Sequence, residues 1–98
     1  MKLCRNQITE IKGLEKLTNL ETLYLNNNQL TEIKGLETLT NLETLYLDTN
    51  QITEIKGLGQ LGKLKLLYLG FNPIEGDFNK DVMGVKKVRD FLKDYMQK

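Results

Sequence analysis

The sequence predicts an α/β solenoid. Short parallel β-strands line a concave face, turns of 3₁₀ type form a convex face, the winding is right-handed, and an α-helix closes the C-terminal end. Three observations lead there. A 22-residue segment stands twice in tandem: residues 20–41 read LETLYLNNNQLTEIKGLETLTN and residues 42–63 read LETLYLDTNQITEIKGLGQLGK, identical at 15 of 22 positions without an insertion. Within each copy the apolar spacing changes from every second to every third residue. After the last partial copy the pattern changes again, to helical spacing.

Ninety-eight residues suit one domain, 1–98. The hydrophobic share is 40%, yet only 7% is aromatic and Trp is missing, so the core is expected to be aliphatic. Fourteen Lys and Arg against 13 Asp and Glu leave a net charge of +1, which gives no general pull towards nucleic acid. With Cys4 the only cysteine, no intrachain disulfide can form. Met1-Lys2-Leu3-Cys4-Arg5 does not open like a signal peptide, and no apolar run approaches the ~20 residues of a membrane helix. The expectation is a cytoplasmic chain that binds no membrane.

Residues 1–19 form a partial first repeat, since Leu3, Asn6, Ile8, Ile11, Gly13, Leu14 and Leu17 fall in register with Leu25, Asn28, Leu30, Ile33, Gly35, Leu36 and Leu39. Residues 20–41 and 42–63 are full repeats. In each, Leu-Tyr-Leu (Leu23-Tyr24-Leu25 in the first) alternates as a short strand does, with Leu inward and Tyr outward. Leu30, Ile33, Leu36 and Leu39 then recur every third residue, the spacing of 3₁₀-type turns, and Gly35 and Gly57 break any longer helix. Residues 64–77 open a truncated last repeat. Over 78–98, Val82, Val85, Val88, Phe91, Leu92 and Tyr95 mark one face of an amphipathic helix, with Asn79 or Asp81 as its cap. That helix is expected to cover the last coil. Solenoids need such ends because stability comes from contacts between neighbouring coils.

Asn6, Asn28, Asn50 and Asn72 share one register at the end of each strand, where the chain turns inward. A carboxamide both donates and accepts, so it can satisfy backbone groups that would otherwise be buried unpaired. Their expected role is structural. The pattern LxxLxLxxNxLxxIxxLxxLxx, carried here by Leu20, Leu23, Leu25, Asn28, Leu30, Ile33, Leu36 and Leu39, resembles the leucine-rich repeat family. The 22-residue period and the ITEIKGL segment look like its intracellular branch, which includes protein-phosphatase regulatory subunits. The resemblance covers roughly residues 1–74. It implies a leucine-rich repeat solenoid whose concave sheet binds protein.

Enzyme chemistry finds no support in the residues. There is no His, one Cys cannot build a thiolate metal site, and no phosphate-binding loop or nucleophile elbow is present. No cofactor is expected. Glu10, Glu32 and Glu54 form a column beside Lys12, Lys34 and Lys56, read as a solvated convex face rather than as acid–base groups.

Outward strand positions are the better candidates. They form columns across the coils: Thr22, Thr44 and Leu66; Lys2, Tyr24, Tyr46 and Tyr68; Cys4, Asn26, Asp48 and Gly70; Arg5, Asn27, Thr49 and Phe71. Tyrosine gives large area, few torsions and a polar tip, which suits an interface. The competing reading of the Tyr column is an aromatic ladder that supports the sheet. Size limits the claim. Four short strands offer only about 300 Å², against ~800 Å² per partner in a stable interface. A homodimer through the uncapped N-terminal end (Met1, Lys2, Leu3, Ile8 and Ile11), paired about a two-fold axis, would widen the sheet. The tail over 80–98 holds six basic and three acidic residues, but the interspersed Asp favours a solvated face over lipid or nucleic acid. The reading is a non-catalytic module that binds a protein partner, with self-assembly as the alternative.

Overall fold

The computed structural model describes residues 1–74; the expected capping helix over 78–98 lies outside the described residues. Three parallel strands, β1 (Thr22–Tyr24), β2 (Thr44–Tyr46) and β3 (Leu66–Tyr68), form one open sheet in chain order. Their register is the sequence repeat itself: Thr22 lies opposite Thr44 and Thr44 opposite Leu66, while Tyr24, Tyr46 and Tyr68 align in turn. The first copy extends the sheet by one more rung. Lys2 bridges to Tyr24, with Leu3 N–H donating to Tyr24 O at 2.8 Å and Tyr24 N–H to Met1 O at 2.9 Å.

Every coil puts its Leu and Ile into the space between itself and its neighbours. Leu23, Leu25, Leu30, Ile33, Leu36 and Leu39 are all at most 1% exposed, as are Leu42, Leu45, Leu47 and Ile52 of the next coil. The first coil, with a neighbour on one side only among the described residues, leaves Leu3, Ile8, Leu17 and Leu20 half-buried. Ile11, expected at the open end, is instead 6% exposed, because the coil over 20–41 already covers it.

Turns of 3₁₀ type occupy only the second half of each period-three stretch. Leu39 N–H donates to Leu36 O at 3.0 Å and Leu42 N–H to Leu39 O at 3.1 Å, and the pattern recurs at Leu14–Leu20 and Leu58–Leu64. The stretch from Leu30 to Gly35 makes no such bonds. Its backbone pairs across coils instead, as where Gln51 N–H donates to Leu30 O at 2.8 Å. Spacing of three is therefore met by an extended path in one half and by tight turns in the other.

The Asn register is a ladder of shared hydrogen bonds. Asn28 Nδ2 donates to Leu25 O (2.9 Å) in its own coil and to Leu3 O (3.0 Å) in the preceding one, and its Oδ1 accepts from the N–H groups of Asn6 (3.1 Å) and Ile8 (3.2 Å). Asn50 likewise donates to Leu47 O and Leu25 O, both at 3.0 Å, and accepts from Leu30 N–H at 3.0 Å. Asn72 repeats the arrangement on Leu69, Leu47 and Ile52. Each bond is worth about 1 kcal/mol net, but an orphaned buried group costs about 1–3 kcal/mol, so the amide is held in place chiefly by what its loss would leave behind.

Candidate functional site

The outer face of the sheet carries the Tyr column, and its geometry is a stack. Tyr24 and Tyr46 lie with ring centroids 4.4 Å apart and planes within 12°; Tyr46 and Tyr68 are 4.2 Å apart and within 11°. Parallel register and identical side-chain direction bring this about, since strands ~4.8 Å apart place matching rings nearly in contact. Lys2 Nζ sits 5.8 Å from the Tyr24 centroid and extends the column as a cation over the ring. All three rings are half-buried. The Tyr46 hydroxyl is pushed up to about 12, first by its hydrogen bond with Tyr68, then by desolvation and the nearness of both neighbouring phenols. The ladder expected as the competing reading is thus present in the geometry. A partner on this face would meet ring edges and hydroxyls, not ring faces.

Flanking positions differ in what they offer. Thr22, Thr44 and Leu66 are half-buried on one side of the Tyr column; Cys4, Asn26 and Asp48 are half-buried on the other, where Gly70 is buried. Cys4 is a free thiol. Asn26 Oδ1 is buried and accepts no hydrogen bond.

Arg5, Asn27, Thr49 and Phe71 do not extend the strands as outward positions. They occupy the left-handed region with φ of 58°, 60°, 56° and 57°, in the turn that leads into the Asn ladder. Only Asn among these four residue types adopts such a φ readily; for Thr and Phe it is strained. The sequence pattern hides this conformation because the four positions share no Gly. Phe71 is also 67% exposed, the most exposed large apolar residue among those described, ahead of Met1 at 45%.

On the turn side, the Glu and Lys columns are exposed and mutually paired. Lys12 reaches Glu10 at 3.1 Å, and Glu32 takes both Lys34 (3.3 Å) and Lys56 (3.4 Å). Hydrogen bonds from Lys34 and then Lys56 hold the Glu32 carboxyl below its usual range. This is the compensating solvated face the sequence predicts. Among the described residues no group of three or more His, Cys, Asp or Glu side chains could hold a metal ion. No described helix is long and apolar enough to cross a membrane.

At the end of the stack formed by the first coil lies a cavity of about 310 Å³ lined by Met1, Leu3, Ile8, Ile11, Leu14 and Leu25, with Glu10 and Lys12 beside it. Of the residues expected to self-associate, this brings Met1, Leu3, Ile8 and Ile11 together, while Lys2 stays with the Tyr column.

A solenoid of 22-residue coils, with strands in phase, an Asn ladder and a leucine core, defines a repeat protein of one kind. The chain belongs to the leucine-rich repeat family: the sequence profile described as Leucine Rich repeats (2 copies) matches residues 2–38, 18–60 and 40–80. Among solved structures it is similar to an internalin C2 of Listeria monocytogenes, with 39% identity and a TM-score of 0.69 over 76% of this chain and 33% of that one. It is also similar to an internalin (inlF) of the same organism, with 37% identity and a TM-score of 0.65 over 74% of this chain and 21% of that one. The chain therefore spans about a third of one and a fifth of the other. A search of curated protein sequences finds no match. Leucine-rich repeat domains are in general protein-interaction modules.

Proposed function

We propose that the chain is a non-catalytic interaction module that takes a protein partner on its Tyr-lined sheet, the concave face of a right-handed superhelix. The observation that carries this reading is Phe71. Its side chain is 67% exposed, a cost that no contact among the described residues recovers, on a backbone held at the φ of 57° that the turn into the Asn ladder imposes at all four equivalent positions. It stands at the end of the sheet face, in the coil of Leu66 and Tyr68, where an aromatic anchor can dock. Arg5, Asn27 and Thr49 line the same edge, and Thr22, Thr44, Asn26 and Asp48 supply the polar surround. No cofactor, nucleic acid or membrane enters this reading, and the location it fits is the cytoplasm. The segment 78–98 serves as the helical cap, judged by its amphipathic spacing.

The test compares capture of protein from source lysate by the wild-type chain and by Phe71→Asn. The variant should lose the captured band while its unfolding midpoint holds or rises. Equal capture by both would remove Phe71 and the face it anchors from the proposal.

The second reading, self-association through the N-terminal end, is favoured by the half-buried Leu3 and Ile8 around the 310 Å³ cavity. Light scattering at high micromolar concentration should then give twice the monomer mass; a monomer would count against it.

A further inference from the structure

The coils repeat their core, but the side chains turned away from it change from coil to coil, and along one lane they change in order. Arg5, Asn27, Thr49 and Phe71 hold equivalent places, each with φ between 56° and 60°. The first three each donate their N–H to the next coil: Arg5 to Asn26 O and Asn27 to Asp48 O, both at 3.1 Å, and Thr49 to Gly70 O at 2.9 Å. The lane is therefore a fixed row at the coil spacing. Its side chains run from an exposed cation, through two neutral polar groups, to an exposed aromatic ring. We propose, on the reading that the sheet face takes the partner, that this lane binds an extended peptide segment with an acidic side chain at one position and an apolar one four residues along.

Charge sets the acidic end. On the turn side and the sheet edge, Lys12, Lys34, Lys56 and Lys65 each reach a carboxylate at 3.1 to 3.4 Å. Arg5 and Lys2 are exposed and meet none among the described residues; Lys2 lies only over the Tyr24 ring, 5.8 Å from its centroid. Two such cations on one coil draw an anion there, and a guanidinium offers paired donors to a carboxylate. Asp48 is the one carboxylate in the sheet-face columns and stands two coils from the first, about 10 Å away. An acid seated near the middle of the face would meet a like charge, so its place is at Arg5.

Spacing sets the apolar end. Three coil steps of ~4.8 Å separate Arg5 from Phe71, about 14 Å in all. Four residues of extended chain span about 13 Å and bring their first and last side chains to the same side. A helix would need about nine or ten residues for that distance, and its backbone groups are already bonded to each other. An extended segment leaves them open, and Asn27 and Thr49, between the two ends, carry the donors and acceptors to meet them. Area points the same way. A face of about 300 Å² suits a short linear segment, whereas a folded domain needs about 800 Å².

The test uses the peptide acetyl-Thr-Asp-Val-Asn-Val-Phe-Thr-amide, whose valines favour the extended form, and the same residues in reverse order, which covers both directions along the lane. Each is titrated to about 2 mM into the ¹⁵N-labelled full chain. One of the two should shift the amide signals of Arg5, Asn27, Thr49 and Phe71 and leave those of Lys12, Lys34 and Lys56 in place. Replacing its Asp by Asn should weaken binding about fivefold. Exchanging its Asp and Asn, which keeps the composition but moves the charge two residues towards the ring, should do the same. Lys2→Gln with Arg5→Gln, both at exposed positions, should abolish the difference between the Asp and Asn peptides without moving the unfolding midpoint. Phe71→Asn should weaken both peptides alike. No shift from either direction, shifts on the turn side, or affinities that ignore the charge and its position would overturn the proposal. Shifts along the lane without that preference overturn the segment's chemistry alone and leave the face as a partner surface, which the lysate comparison tests separately.

Discussion

Glycines 35 and 57 do two jobs that no other residue type can combine. Each holds a left-handed φ, 84° and 74°, and each lies against the carbonyl of an Ile in the coil before it. Alanine at φ > 0 costs roughly 1–2 kcal/mol, and pushing two coils apart to admit a methyl adds about 1–3 kcal/mol. Gly57→Ala should thus destabilise by about 3 kcal/mol, but Gly13→Ala, whose Cβ meets nothing, by about 1 kcal/mol. Urea unfolding of the two variants checks the difference; equal losses would mean that the close approach contributes nothing. In the sequence these glycines stand only as helix breakers, which names the position without the cause. The left-handed residues Arg5, Asn27, Thr49 and Phe71 were less legible still, since the conformation is imposed by the turn into the Asn ladder and three of the four types resist it. By contrast the Asn ladder could be read in full, because a buried amide in a fixed register has one physical purpose.

At the scale of the element, the three strands are short enough that side chains outside their hydrogen bonding fix their spacing. The Tyr stack is one such device. Tandem repetition made the column visible in the sequence, but whether the rings stacked or splayed depended on strand twist, which spacing does not reveal; the planes prove to lie within 12° of parallel. Raising the Tyr46 hydroxyl to about 12 has a consequence for stability. The folded state favours the protonated phenol, relative to an unfolded value near ~10. That contribution is complete below the unfolded value and is lost as the pH rises through the folded one. Between these limits the unfolding midpoint of the wild type should fall more steeply than that of Tyr46→Phe. Lysine deprotonation affects both proteins alike, so the difference isolates the phenol. Parallel pH profiles for the two would show that the hydroxyl row plays no part in holding the rings.

For the whole molecule, the stack makes stability depend on position along one axis. A central leucine such as Leu45 touches the coils on both sides and has no exposed surface. A leucine of the first coil, such as Leu3, is half-buried against one neighbour. Hydrophobic loss scales with the apolar area withdrawn from water, and the cavity left behind is larger where the surroundings are fixed on both sides. Leu45→Ala should therefore cost about 3–4 kcal/mol and Leu3→Ala about half of that. The two changes should also differ in kind. Because each coil is held by its neighbours, a defect at the centre weakens both halves together and leaves one cooperative transition at lower urea. A defect at the first coil can let that coil open before the rest, so protection of the Leu3 and Arg5 amides from hydrogen exchange should fall while that of Leu47 and Thr49 holds. Exchange rates measured on both variants at neutral pH decide between this graded stack and a uniformly cooperative globule, in which every amide would lose protection to the same extent.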